Sequence, residues 1–134
     1  MAESKQIAAL AEENSLEALA EAGAAESTVE AVARECGLPH RYCDPENDER
    51  SRLGIQQENA IRASAFFQGI GEREIQEQIH ESMRARERVW LERLLEWNQW
   101  PVLFVCGAIH LSPFMELLKE MNVEAVLVAE DWSA

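Results

Sequence analysis

Lysine is nearly absent from this chain. Only Lys5 and Lys119 occur in 134 residues, and with ten arginines they face 25 acidic side chains, for a net charge of −13. Such a field repels phosphate backbones, and no basic patch offsets it, which excludes nucleic-acid binding as the expected function. Arg84, Arg86 and Arg88 alternate with Glu81, Glu87 and Glu92 and read as a solvated helix face. Three cysteines, Cys36, Cys43 and Cys106, form no C-x-x-C pair and no even set, so a disulfide framework is not expected and a reducing compartment is. Glycine is scarce and no apolar run reaches the ~20 residues of a membrane span. The start, Met1-Ala2-Glu3-Ser4, has neither the basic nor the apolar region of a signal peptide. The expectation is one soluble, cytoplasmic domain over residues 1–134, with 47% apolar residues to build its core.

The strongest positive signal is Pro101-Val102-Leu103-Phe104-Val105-Cys106-Gly107-Ala108-Ile109-His110. Its unbroken apolar run suits a strand covered on both faces of a parallel sheet. Ser112 as N-cap and Pro113 at the first helical position predict a helix starting just after His110. Elsewhere, Gln6 to Ala11 reads as a first strand and Leu16 to Ala22 as helix. Ser27-Thr28-Val29-Glu30 is a capping box for a helix that stops at Gly37, and His40 to Cys43 is a second strand. Asp44 to Glu49 is a polar loop, residues 56–68 are helical, and Glu72 to Trp97 is the longest helix, with Ile75, Ile79 and Met83 at four-residue spacing. Phe114, Leu117, Leu118 and Met121 mark a last helix, and Val123 to Ala129 a last strand. The order β-α-β-α-α-β-α-β predicts an α/β fold, a small, mostly parallel sheet of about four strands flanked by helices, with all strand ends on one side.

Those ends carry Glu12 and Glu13, Asp44, His110, and Glu130 with Asp131. Carboxylates beside one imidazole can bind a divalent metal or perform general acid–base catalysis, and ligands of parallel sheets collect at this edge. The ordinary alternative has Glu12 capping a helix, Asp44 forming a turn before Pro45, and His110 satisfied by backbone. Cys36, His40 and Cys43 lack the spacing of structural zinc ligands and read as buried thiols beside a strand-start histidine, with His40 and Cys43 on opposite strand faces. Cys106 reads as core, His80 as solvent-facing, and Gly69-Ile70-Gly71 lacks the third glycine of a dinucleotide fingerprint. Of the four tryptophans, Trp97 and Trp100 flank the turn into the apolar strand, as core or as interface.

The apolar strand followed by Gly107-x-x-His110, the pair Glu12-Glu13 after a strand, and Arg86-Glu87-Arg88-Val89-Trp90-Leu91 ahead of the last strands resemble the TraB, Tiki, ChaN and erythromycin-esterase-like superfamily. Cys43-Asp44-Pro45, Glu49-Arg50 and Leu53-Gly54-Ile55 are similar to a small, mostly uncharacterised bacterial subgroup of it. The resemblance runs from Ile7 to Trp132. It implies a polar cleft and a protein that is metal-dependent or hydrolytic, with Glu12 or Glu13 as acid/base or ligand and His110 as the second essential group. The strand-end set makes Glu12, Glu13 and His110 the candidate catalytic groups and Glu13, Asp44 and His110 the candidate ligands of a divalent metal. Family members carry an earlier strand with a Glu or Gly motif, which this chain lacks. The alternative expectation is therefore a binding or assembly module with a degenerate site, completed by a partner chain or a homo-oligomer. Neither reading specifies which small-molecule or peptide substrate is bound.

Overall fold

A computed structural model describes residues 6–128. Three strands, β1 (Ala9–Glu12), β2 (His40–Tyr42) and β3 (Val102–Val105), form a parallel sheet in the order β2-β1-β3. Six helices accompany them: α1 (Leu16–Glu21), α2 (Thr28–Cys36), α3 (Asn47–Leu53), α4 (Glu58–Gln68), α5 (Glu72–Trp97) and α6 (Ala108–Glu120). The expected α/β class, parallel pairing and flanking helices are present. The strand count among the described residues is three.

Strand periodicity sorts the sheet into two faces. Ala11, Cys43 and Phe104 lie on the face covered by α5 and α6, in one cluster with Trp90, Leu91, Leu94, Phe114 and Leu118. Trp90 is its hub, with Phe104 and Phe114 each at 5.4 Å between ring centroids. The small side chains of Ala9 and Ala11, both fully buried, let this layer approach the central strand. α2 covers the opposite face of β1 and β2, starting from Ser27 and ending at Gly37 with φ 70°. Ser27 Oγ accepts from the Glu30 amide while the Glu30 carboxylate accepts from Tyr42, so the Ser27 half of the expected capping box is present. A second, separate cluster joins α4 to the first half of α5 through Ile61, Ala65, Ile75 and Ile79.

Three expectations are corrected. Residues 123–128 form no strand: Val126, Leu127 and Val128 are exposed, and Ala129 lies outside the described residues, as do Glu130, Asp131 and Trp132. β-branched composition permits a strand, but pairing and burial make one; this segment pairs with no strand, and after Val123, which packs on the core, it is exposed. The loop expected over Asp44 to Glu49 turns into α3 after Pro45. Glu46 and Glu49 form a capping box, Gly54 closes the helix at φ 70°, and α3 buries no residue, so no apolar stripe announces it. Finally, α6 starts at Ala108, not after Ser112, and Gly107 is its N-cap. Pro113 lies only one turn inside, where its missing N–H costs a single helical bond. His110 therefore belongs to the first turn of α6. No helix among the described residues is long and apolar enough to cross a membrane.

Candidate functional site

Glu12 is the last residue of β1 and Glu13 follows it at a bend, its amide still bonded to the Val105 carbonyl, and the two side chains lie on opposite sides of the sheet. Glu12 is buried on the α2 face. Its Oε2 accepts from Ser27 Oγ at 2.5 Å and pairs with His40 Nε2 at 2.5 Å, while Asn14 Nδ2 donates to Oε1 at 3.3 Å. Tyr42 lies edge-on to His40 and donates to Glu30, and burial pushes its phenol up to about 12. Glu12 thus anchors α2 to β1 and β2, away from His110. The expected pair of glutamates is divided between two polar clusters.

Glu13 faces α5 and α6. Gly107 N–H, at the N-terminus of α6, donates to its Oε1 at 2.8 Å, a favourable place for a carboxylate. Its Oε2 accepts from Arg86 Nη2 at 2.5 Å and lies 3.4 Å from His110 Nε2. The other ring nitrogen, Nδ1, is 2.7 Å from Glu87 Oε2. Glu87 is in turn gripped by Arg84 through two bonds of 2.8 and 2.7 Å. The result is a row, Glu13–His110–Glu87–Arg84, buried at His110 and Glu87 and more accessible at both ends. Trp90 braces the imidazole edge-on, with ring centroids 4.8 Å apart.

Burial alone pushes the Glu87 carboxyl up, but the bonds from His110 and Arg84 outweigh it and hold the group below its ordinary value. Burial likewise works against the Arg86 cation, and Asp44 and Glu13 more than restore it. Cys106, beside this row, is pushed up to about 11, first by burial and then by Glu13 and Glu87, and Cys43 reaches about 11 for burial alone as its main cause. Both are protonated core thiols rather than nucleophiles.

Asp44 is the structural hub next door. Its Oδ1 accepts from Trp90 Nε1 at 2.8 Å and Arg86 Nε at 3.0 Å, and its Oδ2 accepts from Arg50 Nη2 at 2.5 Å and Arg86 Nη2 at 3.1 Å. Arg93 donates to the Cys43 and Asp44 carbonyls and to the Glu49 carboxylate. The loops after β1 and β2 cap each other's helices. Glu46 accepts from the Leu16 and Glu17 amides, and Glu17 accepts from the Asn47 amide at 2.8 Å. Together these bonds fix the strand ends that frame Glu13.

A divalent metal held by Glu13, Asp44 and His110 does not fit this arrangement. The Arg86 guanidinium already bridges Glu13 and Asp44, and both Asp44 oxygens are taken by nitrogen donors. Among the described residues no group of three His, Cys, Asp or Glu is placed to hold a metal ion. Cys36 is exposed and Cys43 buried, with His40 turned to Glu12, so these three residues do not converge.

Glu87 and Arg86 were not distinguishable as site residues by charge alone, and the alternating Arg/Glu run reads as solvated. The signal is positional: Glu87 lies four residues after Met83 and four before Leu91, within the apolar stripe of α5. A carboxylate at a core position requires a buried partner. Arg88 and His80, off that stripe, are exposed.

No family model, no curated protein and no solved structure matches the chain.

Proposed function

We propose that Glu13, His110 and Glu87 form the acid–base centre of a hydrolase-like protein that works without a resident metal. The observation that carries this reading is the placement of His110 between two carboxylates at the edge where parallel strands end. Among the three acid–base groups, accessibility falls from 17% at Glu13 to 3% at His110 and 1% at Glu87, and Arg84 behind Glu87 is 35% accessible. Glu13 is therefore the member that meets substrate or water, His110 exchanges a proton with it through Nε2, and Glu87 orients the ring from Nδ1. Arg86, beside Glu13 and partly accessible, supplies a fixed positive charge for a developing oxyanion. The resemblance to the TraB, Tiki and erythromycin-esterase-like proteins supports hydrolysis as the reaction class, with Glu13 and His110 matching its motifs. Glu12, bonded to Ser27 and His40 on the α2 side, is left out of the proposed set.

The test is a panel of chromogenic esters, amides and phosphoesters presented to chelator-treated protein. Turnover that survives chelation and falls by ~10²–10⁴ in Glu13→Gln and His110→Gln supports the proposal. Turnover abolished by chelation, or none above buffer, overturns it. The second reading, a non-catalytic assembly module, is favoured by one observation: β3 is an edge strand whose outer side pairs with no other strand among the described residues.

A further inference from the structure

Away from the sheet edge, α4 presents a surface unlike the rest of this acidic chain. Its inner side packs Ile61 and Ala65 against Ile75 and Ile79 of α5. Its outer side exposes Asn59, Ala60, Ala63, Ser64, Phe66 and Phe67, none of them charged. Phe66 and Phe67 are 82% and 86% exposed, and their rings touch only edge to face, at 5.5 Å. The two charges within the helix, Glu58 and Arg62, are engaged sideways: Arg62 donates to Glu58 at 2.9 Å and to Glu72 at 3.2 Å. Paired, adjacent, almost fully exposed phenylalanines on an uncharged helix face mark an interaction surface.

We infer that this face of α4 is a homodimer interface, in which α4 packs antiparallel against α4 of a second copy. Two features select a second copy over another partner. A two-fold contact brings a patch against itself, so each carboxylate on it would face its own image. In a chain of net charge −13, this patch carries none. The patch is also self-complementary in size. Ala60, Ala63, Ser64 and Phe67 follow i, i+3, i+4, i+7 spacing and share one side of the helix. Those four positions are symmetric about the point between Ala63 and Ser64. An antiparallel copy centred there sets Phe67 over Ala60 of the second copy and Ala63 over its Ser64, so each large side chain meets a small one. Phe66 widens the contact on the flank of Phe67.

Four phenylalanines at ~150–250 Å² each, with the small residues between them, remove about 1,000 Å² from water. That lies just under the ~1,200 Å² at which standard specific interfaces begin, so the dimer is a weak one that dissociates on dilution. The interface does not use the Glu13–His110–Glu87 row, and its fate is independent of the hydrolase reading.

Sedimentation equilibrium on the full chain, from ~1 to ~500 µM, tests this directly. The wild type is expected to pass from monomer to dimer across the range, and to go no further, because a two-fold contact closes. Phe66→Ser/Phe67→Ser and, separately, Ala63→Glu are expected to weaken association at least ~100-fold while leaving the circular dichroism spectrum and melting temperature unchanged, since all three positions are exposed. A wild type that stays monomeric overturns the inference and leaves the face to a different protein. A dimer that survives either change, or open-ended association, overturns it as well.

Discussion

Asp44→Ala is expected to lower the unfolding free energy by roughly 3–5 kcal/mol, the range for removing one partner of a buried ion pair. Asp44 is buried, and its two oxygens receive four hydrogen bonds from Trp90, Arg50 and Arg86. Truncation leaves the Trp90 N–H and much of the Arg86 guanidinium without acceptors beneath the strand ends, where water reaches poorly. Unpaired buried donors cost more than the net value of the bonds that satisfied them. The loss does not stay local, because Arg86 also fixes Glu13 and Trp90 centres the aromatic cluster. Asp44→Asn keeps the shape and two acceptor positions in one oxygen, so it should cost less than Asp44→Ala. Chemical denaturation of the three proteins gives the comparison. Equal stability of Asp44→Ala and wild type would show that the hub does not hold the fold.

Glu87→Leu is the second variant with a large expected effect, about 3 kcal/mol, and its cost depends on pH. By hydrophobic pattern alone, leucine belongs at this position of α5. The substitution nonetheless strands His110 Nδ1 and releases Arg84. The folded Glu87 carboxyl lies below its ordinary value of 4.5. Its contribution is therefore present above about that pH and fades as the pH falls through the lower, folded value. The stability gap between wild type and Glu87→Leu should be widest near neutrality and shrink in acid. Glu87→Leu/His110→Phe, which removes both partners and replaces them with apolar groups beside Trp90, should recover most of the loss, because the pair is coupled. Urea titrations at a series of pH values measure both. A gap that does not narrow in acid, or a double variant worse than the single one, contradicts the pairing.

The strands, the long helix α5 and the capped helix α2 were legible because each carries its own signal: an apolar run, a four-residue stripe, a capping box with a terminal glycine. α3 was not, since it buries nothing and is held by charges from Glu17 and Arg93 that lie far off in sequence. Ser112-Pro113 imitates a helix start one turn inside α6, so sequence signals alone put its first residue too late. Residues 123–128 show the opposite failure, a strand pattern without a paired edge to make it a strand. At the site, Glu13 and His110 could be found from the strand-end rule. Their partners could not be found from composition, because Arg86 and Glu87 sit in a run whose alternating charge looks solvated. Only the helical register of Glu87 gives it away. The division of Glu12 from Glu13 depends on where β1 ends: Glu12 is its last residue, and Glu13 continues the alternation one residue beyond it. The motif drew them together; the pleat separates them.

The orientation of the His110 ring is the most direct test of the proposed centre. If Glu87 holds Nδ1 and leaves Nε2 for Glu13, Nδ1 carries a proton in both the neutral and the charged imidazole. Nitrogen-15 correlation spectra of the His110 ring report this without a substrate. The account predicts a proton on Nδ1 in the wild type, held by Glu87 Oε2 at 2.7 Å, with that preference lost in Glu87→Leu. A bare Nδ1 with the proton on Nε2 would mean that Glu87 does not orient the ring, and the row could not pass a proton to Glu13 in the way proposed.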